Sequence, residues 1–250
     1  MARSDPALEP VTVRPLQTTV DRQRGLETPR AAGVAGLAFA GLFIASIVLL
    51  RNSPSGASTP AEIRDFYLGE QAGRVSLVGV YLAPFSGIAF LWFIAVIRNL
   101  IGDREDRFFA TVFLASGLLF VAMLFVAAGV GGALLAAVKF QDEPLPSQDA
   151  VVLVRSFGFG FLFIYAMRMA AVFMIVVSTI GTRLGIFPRW LVVTGYLAAL
   201  VLILNVSYAA LLTLVFPVWV AAVSVVILQA KPRAARSSRR GTARPSRLVD

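Results

Sequence analysis

The sequence contains no cysteine and no histidine. The first absence excludes disulfides and thiol nucleophiles, the second excludes imidazole bases, and together they remove the usual ligands of zinc and haem. Charge is also scarce, at 15% of 250 residues, where soluble domains carry about a quarter. All fourteen acids lie in tails or loops, so no apolar segment holds the carboxylate relay on which proton-coupled transport relies. Hydrolysis inside a membrane is left with Ser-Lys or Ser-Tyr schemes, and neither lysine, Lys139 or Lys231, falls in an apolar segment. These gaps predict a protein that is not an enzyme and takes no cofactor.

Hydrophobic residues, in contrast, make up 58% of the chain, with a mean hydropathy of +0.79. That composition predicts an integral membrane protein, all-α, folded as a polytopic bundle. Six transmembrane helices are expected, over about 31–50, 75–97, 108–138, 151–181, 190–206 and 208–228. Residues 1–30, with four prolines and mixed charge, read as a disordered tail. No short apolar stretch with a cleavage site follows the start, so the first span is expected to serve as its own signal.

Ala31 to Leu50 is twenty residues without a charge, enough for about 30 Å of hydrocarbon. Small residues recur at four-residue spacing in three spans: Ala32, Gly36 and Ala40; Gly79, Ala83 and Gly87; Ala128, Gly132 and Ala136. This is the pattern that admits close helix approach. Between the first two spans, Thr59, Pro60 and Glu62 form a capping box with proline at the first helical position. Ile63, Phe66 and Tyr67 then share a face, predicting a short amphipathic helix over about 60–72 at the membrane interface. It reads as a lead-in to the second span or, more sharply, as a lid over a ligand. Pro84 predicts a kink in the second span.

Trp190 to Leu228 is 39 apolar residues, about 58 Å as one helix and too long for a bilayer. A hairpin is expected, with its turn at the polar cluster Asn205, Ser207 and Tyr208. The segment 229–250 carries seven basic residues and one acid and reads as a disordered tail adjacent to anionic lipid headgroups. It has no folded recognition motif, so nucleic acid is not an expected partner. Six crossings place seventeen basic residues on the side of both termini and four on the other. The positive-inside rule then sets both termini in the cytoplasm, with the short amphipathic helix outside.

The segment 151–181 is the only apolar one with charges inside it: Arg155 near one end and Arg168 near the middle. A cation at mid-depth costs about 2.5–3.5 kcal/mol and normally faces protein or water. Two readings stay open for Arg168. It bonds backbone carbonyls and hydroxyls such as Tyr165, one turn earlier, as interhelical glue, or it lines a polar cavity that receives an anionic solute or lipid headgroup. Arg155 lies thirteen residues, about 20 Å, away, and is expected to snorkel to the headgroups. The aromatic run FGFGFLFIY between them reads as core and lipid-facing surface.

The Gly73-Arg74 pair, the segment VGVYLAPFSGIAFLWFIAVIRNL and the later IFPRWL together resemble the six- to seven-helix bacterial membrane proteins, common in actinobacteria, that are grouped as a domain of unknown function. The resemblance covers about residues 33–228. It implies a bacterial cytoplasmic-membrane bundle and supplies no site residues. The expected role is that of an accessory or interaction protein that engages lipids, a membrane partner or a second copy of itself through small-residue faces. The alternative is a carrier or channel for a small anionic or amphipathic solute with Arg168 in its path.

Overall fold

The computed structural model describes residues 20–50, 58–69, 72–101, 107–140, 146–204 and 210–229. Every regular element among them is helical. Helix α1 is Val20–Leu49, α2 is Pro60–Leu68, α3 runs over 72–101 and α4 is Arg107–Phe140. Helix α5 spans 148–184, α6 is Arg189–Leu204, α7 is the single turn Ala210–Thr213 and α8 is Val215–Gln229.

Three sequence expectations change. The N-terminal tail does not extend to residue 30, because α1 begins at Val20. Once the apolar stretch has nucleated a helix, extension through good helix formers such as Arg22, Gln23, Arg24 and Leu26 costs little. Four helices, not six, are long and apolar enough to cross a membrane: Ala72–Asn99, Arg107–Val138, Gln148–Leu184 and Leu211–Gln229. The segments Gly33–Leu49 and Arg189–Leu204 are apolar but shorter. Sixteen residues in α6 rise only about 24 Å, against about 30 Å of hydrocarbon. The amphipathic helix, finally, stops at Leu68 rather than near residue 72.

The long apolar stretch is divided as its length requires, α6 ending at Leu204 and α7 starting at Ala210. The expected turn residues Asn205, Ser207 and Tyr208 lie outside the described residues, as do most of the N-terminal tail and the basic segment 230–250. The kink expected at Pro84 takes a definite form. Val78–Leu82 is a π-helical turn, in which the Ala83 N–H donates to the Val78 carbonyl five residues back. Pro84 has no N–H to give, and the ladder widens just before it. A second π segment, Gly160–Ala166, interrupts α5.

Phenylalanines from five helices meet at the centre. Phe90 of α3 lies 4.7 Å from Phe39 of α1, 5.1 Å from Phe120 of α4, 5.2 Å from Phe173 of α5 and 5.5 Å from Phe216 of α8, centroid to centroid. All five rings are fully buried. Between helices in lipid the hydrophobic effect gives little net drive, so dispersion and ring-edge contacts carry the packing, each aromatic pair adding about 0.5–1.5 kcal/mol.

Small residues admit the close approach. A methyl on Gly36 would collide with Ser224 of α8 and the Phe93 ring, and one on Gly33 with Leu228. Helix α1 is thereby seated between α3 and α8, its two most extensive neighbours. At the other extreme, large apolar side chains such as Val34, Trp92, Phe108, Leu204 and Leu211 are exposed around the perimeter, as a hydrocarbon surround permits and water does not.

Helix α5 ends in a left-handed glycine cap. Gly185 has φ 61°, and the Ile186 N–H bonds back to the Gly181 carbonyl at 3.1 Å, the arrangement that frees the chain to turn into α6. Beside it the Arg183 guanidinium sits 4.3 Å over the Phe109 ring, so the start of α4 and the end of α5 share one end of the bundle.

Candidate functional site

The site forms at the opposite end, where α2 closes on the bundle. Thr59 Oγ1 accepts from the Glu62 N–H at 3.3 Å, and Glu62 Oε2 accepts from the Thr59 N–H at 2.8 Å, completing the expected capping box. Ile63, Phe66 and Tyr67 are buried and pack with Val75, Leu134, Leu135 and Val151 in a small core separate from the phenylalanine centre. Gln148 Nε2 donates to the Ser58 carbonyl at 3.2 Å, tying the entry of α2 to the start of α5.

Beneath α2 lies a cavity of about 130 Å³. Its walls come from Phe43, Ser46, Ile47 and Leu50 of α1, Phe66 and Tyr67 of α2, Val75 to Ala83 of α3, Leu124 to Gly132 of α4, and Arg155, Gly158, Phe159 and Leu162 of α5. A second groove lies between α3 and α4, lined by Gly79, Val80, Gly129, Gly132 and Ala133, and shares Val75, Gly79, Ala128 and Gly132 with the cavity. The space is a consequence of composition. A β-carbon built on Gly129, Gly131 or Gly132 would meet nothing within 4 Å, so these glycines leave a slot. Both π segments border it, the widened turns shifting Gly79 and Leu162 relative to a regular helix.

The lining is apolar apart from Ser46, Tyr67 and Arg155. Ser46 donates to the Leu42 carbonyl of its own helix at 2.8 Å. Arg155 is half-buried and lies 5.1 Å from the Phe159 ring centroid, a cation–π contact. Among the described residues no carboxylate pairs with it, and Tyr67 is the one titratable group that acts on it electrostatically. Burial pushes the Tyr67 phenol above its ordinary value, and the Arg155 charge pulls it partly back.

The residues singled out from the sequence therefore separate. Arg155, expected to snorkel to the headgroups and grouped with Arg168 and Tyr165 as a candidate polar or anion site, lines the cavity. Neither the cavity nor the groove reaches Arg168. Arg168 Nη1 donates to the Ile164 carbonyl at 3.3 Å, inside the second π segment, where the wider turn loosens the backbone ladder. Tyr165 is exposed and sits 5.9 Å from the Phe161 ring, and Arg168 bonds the carbonyl rather than its hydroxyl. Sequence reasoning overlooked Tyr67 and Phe159 as site residues. Both were visible only as members of an amphipathic face and an aromatic run. Compared with protein-family models, curated proteins and solved structures, the chain matches none.

Proposed function

We propose that this protein is a non-enzymatic accessory protein of the bacterial cytoplasmic membrane that engages membrane amphiphiles through the cleft under α2. It crosses the bilayer six times with both termini in the cytoplasm. The two shorter apolar helices complete the crossings: α1 contains the uncharged twenty residues 31–50, and α6 with α7 and α8 forms the closing hairpin. Trp219 Nε1 of α8 donates to the Leu191 carbonyl of α6 at 3.4 Å, so the two helices are in contact.

The observation that carries the reading is the cleft itself, an apolar slot bordered by a groove whose lining includes the exposed Val80 and Gly129. Ligand cavities are mostly apolar with a few placed polar groups, which is the composition found here. Arg168, on which the carrier reading relies, lines neither the cavity nor the groove. Thermal unfolding of delipidated protein in detergent, titrated with phospholipids, tests the proposal. Saturable stabilisation is expected, because a ligand that binds only the folded state raises its apparent stability. No stabilisation by any phospholipid would remove the basis for it.

A further inference from the structure

Resting on the lipid-engaging reading, we infer that the cleft is selective for an anionic phospholipid of the leaflet on the α2 side, its phosphate held by Arg155 and Tyr67 and part of one acyl chain seated below. Three observations converge on that occupant. The cation at the site is half-buried, has the Phe159 ring against it and shares the cavity lining with Tyr67, and no carboxylate is among the residues that line the cavity. A partly desolvated guanidinium is stabilised most by an anion that also accepts its hydrogen bonds, and phosphate oxygens match its planar fork.

Depth supports the same occupant. Arg155 lies seven residues into α5, which begins at Gln148, about 10 Å along the axis. Each headgroup layer is roughly 5–8 Å thick, so a helix that starts at the membrane surface brings Arg155 to the edge of the hydrocarbon. Below it Phe43, Leu124, Phe159 and Leu162 line a space of about 130 Å³, near the roughly 150 Å³ of an engineered apolar cavity that admits benzene. The space holds a few methylenes, and the remainder of a chain leaves through the glycine-lined groove between α3 and α4. A free anion would leave that apolar volume unused, and a zwitterionic lipid would bring a second cation towards Arg155.

The test uses full-length protein stripped of lipid, with unfolding temperature read during titration of phosphatidylglycerol, phosphatidylcholine or inorganic phosphate. Phosphatidylglycerol is expected to bind at least about tenfold more tightly than phosphatidylcholine, with no response to phosphate alone. Arg155→Gln should lower that preference to the residual level set by the basic segment 230–250, and Arg155→Lys should retain part of the site's own share. The basic segment 230–250 is unchanged in both variants and attracts anionic lipid equally. Gly131→Leu fills the slot without altering charge and should lower affinity for both lipids, which keeps the test decisive if Arg155→Gln folds poorly.

Equal binding of the two phospholipids, or a preference undiminished in Arg155→Gln, would overturn the inference. Stabilisation by phosphate alone would also overturn it. Failure of every phospholipid would refute the lipid-engaging reading itself, so the two failures differ.

Discussion

At the scale of single residues, the two intramembrane arginines have opposite roles. Arg168 answers a local backbone need at the π segment. Its replacement by Leu should cost about 1 kcal/mol, one hydrogen bond's net worth, and leave lipid affinity unchanged, as thermal unfolding with and without phosphatidylglycerol will report. Ser178 makes a second residue-scale case. Its buried hydroxyl finds no partner among the described residues, and an unsatisfied buried polar group costs about 1–3 kcal/mol. Ser178→Ala should therefore be neutral or stabilising, whereas Ser224→Ala removes a bond to the Val220 carbonyl made at 2.8 Å. Tyr67 gives a pH dependence. Burial, opposed by Arg155, holds its phenol protonated to higher pH in the folded state. The corresponding stability is fully present below the ordinary phenol value, about 10, and is lost as pH rises through the raised folded value. Unfolding temperature of the wild type relative to Tyr67→Phe should be constant from about pH 8 to about pH 10 and fall above it. Parallel curves throughout would show that Tyr67 is not buried as described.

At the scale of elements, α2 and the glycine slot decide whether the cleft exists. Helix α2 has nine residues, too short to persist alone, and is held by its cap, its apolar face and the Gln148 contact. Thr59→Ala should cost about 1 kcal/mol and increase hydrogen exchange of α2 amides selectively. The glycines divide sharply by position. Gly129→Ala enters open space and should stabilise α4 by up to about 1 kcal/mol through helix propensity. Gly36→Ala meets Ser224 and Phe93 and should destabilise the α1–α3–α8 contact, by about 1–3 kcal/mol as overpacking does. An equal response at both positions would contradict the packing described. The sequence contains the same four-residue spacing in all three spans and cannot separate a glycine that permits contact from one that leaves a space. That distinction depends on which helix lies opposite.

At the scale of the whole molecule, much was legible from one dimension. The all-helical class, the division of 190–228, the capping box and the widened turn at Pro84 follow from chemistry local to each segment. The charge asymmetry sets the proposed orientation: a C-terminal reporter should be active only in its cytoplasmic form, and one inserted within residues 51–57 only in its exported form, with the reverse pattern overturning the orientation and both reporters on one side overturning six crossings. Such features depend on length, hydropathy and immediate neighbours, all of which the sequence contains. The helical state of residues 20–30 lay beyond it, because helix propagation carries an apolar segment into polar neighbours that hydropathy does not mark. The role of Arg155 also lay beyond it. Seen along the chain, Arg155 is a cation near a helix end and Arg168 the conspicuous charge at mid-depth. Only the packing of α1, α2, α3 and α4 around α5 decides that this cavity opens at the first and not at the second, since a cavity is a property of surfaces brought together from distant parts of the chain.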